Sequence, residues 1–212
     1  MTYSCDIFDQ KGQKMKTIDL DTAVFADEYI NKDLMYDFVR MQQANARVAI
    51  AHTKNRGEVQ WSTKKLYKQK GNGTARAGDK KSPIRKKWWV ARWPRSDRNF
   101  SLSMPKKMRK AALRSALSYR AADSALLGLD AFTVTVPSTK TASSVLQALG
   151  LHTSKTLLVV DKSIDTMKSY RNIPSIDIVD AAYVSVFDIL KAQKVLFVGN
   201  ALDVIVSSIK SV

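Results

Sequence analysis

A chain of 212 residues with 45% apolar content and a net charge of +16 has enough material to bury one α/β core of ordinary size. Its single cysteine, Cys5, excludes a disulfide framework and a thiolate metal cluster, and fits a reducing cytosol. The longest apolar run near the end, VLFVGNALDVIVSSI, is interrupted by Gly199, Asn200 and Asp203 and is too short to span a bilayer, which points to a soluble protein with no membrane partner.

The start of the chain, with Asp6, Asp9, Asp19 and Asp21 and no apolar core, reads as neither a secretory signal nor a transit peptide. Charge is spread unevenly. Between Lys54 and Arg120 stand 21 basic and 3 acidic residues, whereas the remaining 145 residues hold 14 basic and 16 acidic. A near-neutral protein therefore carries a polycation near its middle. Charge of one sign at that density implies a polyanionic partner, nucleic acid ahead of an anionic membrane surface.

Residues 2–20 predict a strand pair, YSCDIFD and MKTIDL, around a turn at Gln10, Lys11 and Gly12. Asn31 is placed to cap a helix running to about His52, with Leu34, Phe38, Met41 and Val48 on one stripe and Asn45 as its one polar interruption. After His52 the periodicity stops for roughly 50 residues, where Gly57, Gly71, Gly73, Gly78, Pro83 and Pro94 break any regular element. Order resumes at MPKKMRKAALRSALSYRAADSALLG, a helix with Ser103 as cap, Pro105 in its first turn and Gly128 at its stop. One face of this helix carries Met108, Ala112, Ser115 and Ala116; the other carries Lys106, Lys107, Arg109, Lys110 and Arg114.

The remainder alternates between strand and helix. AFTVTV, KTLLVV, SIDIV and KVLFVG predict strands, separated by helices at STKTASSVLQALG, SIDTMKSYRN and VSVFDILKA and followed by one at ALDVIVSSI. Apolar runs such as Leu157–Val160 and Val195–Val198 between short helices indicate a three-layer, doubly wound α/β fold with a mostly parallel sheet. The expected organisation is a globular domain in two parts, residues 1–53 and 104–212, interrupted by an extended basic arm at 54–103. A loop of that length inside a compact domain is uncommon and is usually functional or disordered.

The residues offer little for catalysis. Gly73 and Gly78 have the spacing of a phosphate loop, but Asp79–Lys80 follow in place of Lys–Ser/Thr and no apolar strand precedes. Gly71–Asn72–Gly73 lacks the third glycine of a dinucleotide fingerprint. No Gly-x-Ser-x-Gly elbow occurs, and His52 and His152 sit at a helix end and a helix–strand junction. Cys5 on a strand reads as a small core side chain, and Asp161, Asp165 and Asp180 stand where capping explains them. No enzyme activity, cofactor or metal is expected.

The basic segment has to explain its tryptophans. All four, Trp61, Trp88, Trp89 and Trp93, lie inside it, and leaving each ring in water costs ~2–3 kcal/mol by apolar-area reckoning. A disordered tail would be poor in aromatics. Interleaved cations and aromatic rings are what nucleic-acid binding uses: the cations neutralise phosphates, and indole and guanidinium planes stack on unpaired bases. RNA is preferred over DNA because no helix presents base-reading residues in a major-groove arrangement, and long arms suit irregular folded RNA. The candidate contacts are Lys54, Arg56, Trp61, Lys64, Lys65, Lys68, Lys70, Arg76, Lys80, Lys81, Arg85, Lys86, Lys87, Trp88, Trp89, Arg92, Trp93, Arg95 and Arg98, continued by Lys106, Lys107, Arg109 and Arg114 on the cationic helix face.

Several motifs resemble the universal large-subunit ribosomal protein L-four family in its bacterial or organellar form. MPKKMRKAALRSALS (Met104–Ser118) follows the family's Leu-Pro-Lys-Lys-x-Arg-x-x-Ala-Leu-Arg-Ser-Ala-Leu pattern almost throughout. KNRGEV (Lys54–Val59) is similar to the family's opening of the arm, KQKGNGTARAG to its tip, and KSPI to the stretch that follows; RNIP and VFDILKAQKVLF also fit. The resemblance covers nearly the whole chain. It implies an α/β domain on the solvent side of the large subunit and an arm threaded through 23S-type rRNA. The tip, Gln69, Lys70, Gly71, Asn72, Gly73 and Thr74, would stand in the wall of the nascent-peptide exit tunnel, with Lys70 projecting near its narrowest part. It also implies early binding in subunit assembly, neighbouring large-subunit proteins as partners and, in some bacterial members, repression of the operon through its mRNA leader. The expected location is cytoplasmic and ribosome-bound, in a bacterial ahead of an organellar ribosome.

The chain departs from the family where QWSTKK replaces a glycine-rich stretch, where Lys65–Leu66–Tyr67 replaces Lys-Pro-Trp, where Thr74 replaces an arginine, and where Lys87–Trp88–Trp89 replaces a glycine triplet. Two other readings use the same residues. An RNA-modifying enzyme with a basic substrate-binding arm would need a glycine-rich turn straight after a strand, and only Gly199 stands in such a place. A DNA-compacting protein would bind duplex DNA as tightly as rRNA.

Overall fold

The computed structural model describes residues 2–83, 85, 94–133, 136–161 and 164–210. The chain divides into two compact units, Met1–Gln42 with Ser103–Val212, and Gln43–Leu102. The elements are β1 (Ser4–Phe8), β2 (Lys14–Asp19), α1 (Lys32–Ala46), α2 (Lys106–Ala122), β3 (Leu126–Leu129), α3 (Thr139–Ala148), β4 (Thr156–Val160), α4 (Ile164–Tyr170), β5 (Ile176–Asp180), α5 (Val186–Lys191), β6 (Lys194–Val198) and α6 (Ala201–Lys210). The strands form one sheet in the order β2-β1-β3-β6-β4-β5, parallel throughout except for β2, which pairs antiparallel with β1.

Side chains alternate across a strand, and here both faces are covered. Leu157, Val159, Val195 and Phe197 pack with Ala112, Ala116 and Leu117 of α2, Ile189 of α5 and Ile205 of α6. Leu158, Val160, Leu196 and Val198 face the other way, against Ala142, Val145 and Leu146 of α3 and Tyr170 of α4. The result is the three-layer α/β fold that the apolar runs imply, and every residue of β4 is buried. Each fully buried Leu or Val contributes roughly 1.5–3 kcal/mol.

Two buried serines of α2 anchor the connection between β2 and α1. Ser118 Oγ donates to the Val24 carbonyl at 3.1 Å and accepts from the Ala26 amide; Ser115 Oγ accepts from the Asn31 amide at 2.7 Å. Asn31 caps α1 as expected, its Oδ1 accepting from the Leu34 amide at 3.0 Å. Arg120 closes the far side, donating to the carbonyls of Ile189, Leu190 and Ala192 where α5 ends.

Three boundaries differ from expectation. Helix α1 stops at Ala46, well before His52. Helix α2 begins after Pro105, with no cap from Ser103, and ends at Ala122 instead of continuing to Gly128. Its end is a Schellman turn: Ser124 takes the left-handed region (φ 50°), its amide donates to the Ala121 carbonyl, and the Ala125 amide donates to the Arg120 carbonyl. The strand expected at AFTVTV is displaced to Leu126–Leu129; Ala131, Phe132, Thr133 and Val136 are not in a strand, and residues 134 and 135 lie outside the described set. Among the described residues no helix is long and apolar enough to cross a membrane.

Candidate nucleic-acid interface

Between Arg47 and Pro105 the described residues contain neither helix nor strand. The two ends of this arm meet at a polar clasp. The Leu102 amide donates to Asn45 Oδ1 at 2.8 Å, and Asn45 Nδ2 donates back to the Leu102 carbonyl at 3.1 Å. This accounts for the one polar residue on the apolar stripe of α1. Beside the clasp, the guanidiniums of Arg47 and Arg98 lie over the Phe100 ring, 4.1 and 4.7 Å from its centroid.

The three acids of the basic segment are all engaged by its own arginines. Arg56 donates to Asp79 at 2.9 Å, Arg95 donates to Glu58 at 3.0 Å, and Arg95 lies 3.5 Å from Asp97. Asp79 is buried (8% side-chain exposure) while Arg56 stays largely exposed. Asn55 shapes the turn between them, its Oδ1 accepting from the amides of Gly57 and Glu58 while Glu58 Oε2 accepts from the Asn55 amide. The acids thus brace the arm. Lys54, Arg56, Lys64, Lys65, Lys68, Lys70, Arg76, Arg85, Arg95 and Arg98 are exposed; Lys80 and Lys81 are half-buried.

The aromatic residues sit among cations. Trp61 is 48% exposed, with the Lys80 ammonium 4.7 Å from its ring centroid. Arg85 donates to the Tyr67 hydroxyl at 2.9 Å. That hydroxyl in turn donates to the Ala75 carbonyl, and the Leu66 amide donates to the Gly78 carbonyl at 3.1 Å, so a narrow loop closes below the tip. Gln69, Lys70, Gly71, Asn72, Gly73 and Thr74 form that tip and are all exposed. Gly71 and Gly73 take φ of +87° and +62°, values that exclude most side chains, and their surroundings are open. Lys65 bonds the Gln69 amide oxygen, and Thr74 Oγ1 donates to the Asn72 carbonyl at 3.0 Å.

On α2, Lys106, Lys107 and Arg109 are exposed. Arg114 is half-buried, with its guanidinium 3.7 Å from the Tyr29 ring centroid. Lys86, Lys87, Trp88, Trp89, Arg92 and Trp93 lie outside the described residues. The residue that sequence reading missed is Arg47; the acid-free run between Asp37 and Glu58 was the available clue.

Of the residues weighed for catalysis, Cys5, His52 and Asp180 have structural surroundings that account for them. Cys5 is buried, and burial pushes its thiol up to about 11. His52 Nδ1 lies 3.1 Å from Ser96 Oγ, and Asp180 accepts from the Ala182 amide. A cavity of about 140 Å³ at the strand ends, beside Gly199 and Asn200, falls below the roughly 300–1,000 Å³ of small-molecule sites.

A covered parallel sheet interrupted by a braced, cation-rich arm makes this a basic-arm α/β protein. Residues 18–208 match the Ribosomal protein L4/L1 family, and the chain belongs to that family. It is 37% identical over 198 residues to the large ribosomal subunit protein uL4 of Desulforapulum autotrophicum, covering 93% of this chain and 94% of that one. The uL4 of Dehalococcoides mccartyi is also 37% identical, with 92% of each covered. That of Geotalea daltonii is 36% identical over 207 residues, covering 97% of this chain and 98% of the relative.

Proposed function

We propose that the protein is a structural component of the large ribosomal subunit and that its arm binds the subunit's 23S-type rRNA. The observation that carries this reading is the arm's internal accounting of charge: two of its arginines engage all three of its acids, Arg56 with Asp79 and Arg95 with both Glu58 and Asp97, and a dense set of exposed cations stays directed at solvent. Such a surface neutralises phosphates, while Trp61 and the arginine planes offer stacking faces to unpaired bases. The contact residues are Lys54, Arg56, Trp61 and the cations through Arg98, joined by Lys106, Lys107, Arg109 and Arg114. The division into residues 1–53, 54–103 and 104–212 assigns the arm to RNA and the rest to folding and to neighbouring subunit proteins.

Family membership supports the finer roles. The tip at Gln69–Thr74 forms part of the wall of the nascent-peptide exit tunnel, where a slim backbone leaves passage for the emerging chain. Binding through many phosphates suits early entry into the assembling subunit, and the same chemistry accommodates an mRNA leader of its own operon. The relatives support a bacterial-type, cytoplasmic ribosome.

Replacing residues 60–98 with a short Gly/Ser linker tests the reading. The sheet domain should remain folded while affinity for large-subunit rRNA collapses. For the full chain, about ten phosphate contacts give a log–log salt slope near −7 on single-strand values. Unchanged affinity after the deletion rejects the proposal.

A further inference from the structure

Asn72–Gly73 is the one Asn–Gly pair in the chain, and it stands at the apex of the arm. Both residues are exposed, so water reaches the side-chain amide and the peptide that follows it. Glycines flank Asn72 on both sides, and a Cβ built on Gly71 or Gly73 would meet no atom of the described residues within 4 Å. Bonding the Asn72 side-chain carbon to the Gly73 nitrogen closes a small ring, and glycine puts no side chain in its way.

Among the described residues, no hydrogen bond holds the Asn72 side-chain amide or the Gly73 N–H. Other asparagines are restrained: Asn55 Oδ1 accepts from two amides, Asn45 is locked to Leu102, and Asn99 Oδ1 accepts from the Ser101 amide at 2.8 Å. Each of these is followed by a residue that carries a Cβ. Two features at the apex favour the reacting form. Thr74 Oγ1 donates to the Asn72 carbonyl at 3.0 Å. That oxygen shares the negative charge when the Gly73 nitrogen loses its proton, so the hydroxyl stabilises the anion more than the neutral peptide. The second feature is the local field. No acid occurs between Glu58 and Asp79, Asp79 is held by Arg56, and exposed Lys70 and Arg76 stand on either side. Nearby cations lower the cost of an anionic amide.

We propose that Asn72 is a modification site activated by the tip itself, which converts to aspartate and isoaspartate through a succinimide. The Gly73 N–H gives its proton to solvent hydroxide, and the nitrogen's electron pair forms a bond to Asn72 Cγ. The Cγ–Nδ2 bond breaks, and Nδ2 takes a proton from water and leaves as ammonia. Water then opens the ring at either carbonyl. Attack at Cγ restores the ordinary main chain with an aspartate. Attack at the main-chain carbon reroutes the chain through Cβ and Cγ as isoaspartate, longer by a methylene. Both products place a carboxylate among the tip's cations. The consequence rests on the reading of the arm as an rRNA binder: the new charge opposes the phosphates that Lys70 and Arg76 attract.

The test incubates the full chain at mildly alkaline pH and follows the tryptic peptide Gly71–Arg76 by chromatography and mass spectrometry, against a sample taken at the start. Two separated products, aspartate and isoaspartate, should accumulate at least as fast as in the same peptide free in solution. Thr74→Val keeps the side-chain shape without the hydroxyl and should slow conversion about fivefold, as the loss of a single hydrogen bond implies. Asn72→Gln, which needs a larger ring, should stay unmodified over the same time, as should Asn55 and Asn99. Aspartate without isoaspartate would mean direct hydrolysis, and a native rate far below that of the free peptide would mean that the fold shields the site. An unchanged rate in Thr74→Val would remove the assisting hydroxyl. Any of these three results overturns the proposal. For the consequence, Asn72→Asp should weaken binding to a large-subunit rRNA transcript several-fold, whereas Asn72→Gln should bind normally. If Asn72→Asp also binds normally while the arm deletion abolishes binding, the consequence is overturned and the proposed function stands. If the deletion is equally silent, the rRNA reading itself fails.

Discussion

Asn45 and Leu102, 57 positions apart, hold each other by a matched pair of hydrogen bonds that closes the base of the arm. Each bond contributes about 1 kcal/mol. Asn45→Ala should therefore speed hydrogen exchange at the Leu102 amide roughly tenfold, with the amides of β4 and β6 unaffected. Asn45→Leu should do the same although it completes the apolar stripe of α1, since the loss is of pairing and not of packing.

The Arg56–Asp79 pair joins residues on opposite sides of the tip loop. Asp79→Ala leaves Arg56 without its acceptor and should increase protease cleavage between residues 56 and 79 several-fold. The variant also adds one net positive charge. A rise in non-specific RNA affinity together with the looser arm is the expected result, measured by filter binding at two salt concentrations.

Arg120 serves the fold and not the ligand. Its side chain is 15% exposed and its guanidinium donates to three carbonyls at the end of α5. Arg120→Ala should destabilise the sheet domain by about 2–4 kcal/mol, or roughly 4–16 °C in melting temperature. Arg120→Lys should recover only part of this, because an ammonium lacks the planar fork.

Burial pushes the Cys5 thiol up to about 11, above the range of a free cysteine. Alkylation of the native protein at pH 8 should be at least ~100-fold slower than in denaturant. Two aspartates move in the opposite direction. Lys210 and then the Ala23 amide hold Asp21 below the usual carboxylate range, and Lys14 and then the Thr17 hydroxyl do so for Asp6. Their contribution to stability is present above the ordinary carboxylate pKa and is lost as the pH falls through the depressed values. Side-chain carboxyl NMR should show Lys210→Gln moving Asp21 part of the way back toward its ordinary midpoint, the Ala23 amide bond being retained, while Asp6 stays low.

The central strands were legible because burial on both faces leaves an apolar run, as at Leu157–Val160 and Val195–Val198. Strand β3 was not. Its Leu-Leu-Gly-Leu has low strand propensity, and the β-branched TVTV that follows looks more suitable. The sheet selects the earlier segment, where β3 is wedged between β1 and β6 and a Cβ on Gly128 would stand 2.8 Å from Ile7 Cγ1. Strand choice there follows steric fit to a neighbour 121 positions away. The cationic arm was visible in charge density alone, but its braces were not, since Arg56 and Asp79 or Asn45 and Leu102 become partners only once the backbone brings them together. Nothing in the periodicity of α2 distinguishes Arg114, which lies over the Tyr29 ring, from Lys106 and Arg109, which are exposed.

The hydrogen bond from Leu66 to Gly78 ties the two limbs of the tip loop together below Gly71 and Gly73, and no atoms of the described residues crowd either glycine. The chain can therefore be nicked, lengthened or spliced to a fluorophore-bearing peptide between those glycines without parting the flanking segments. The apex is an attachment point for a reporter that leaves the supporting framework in register.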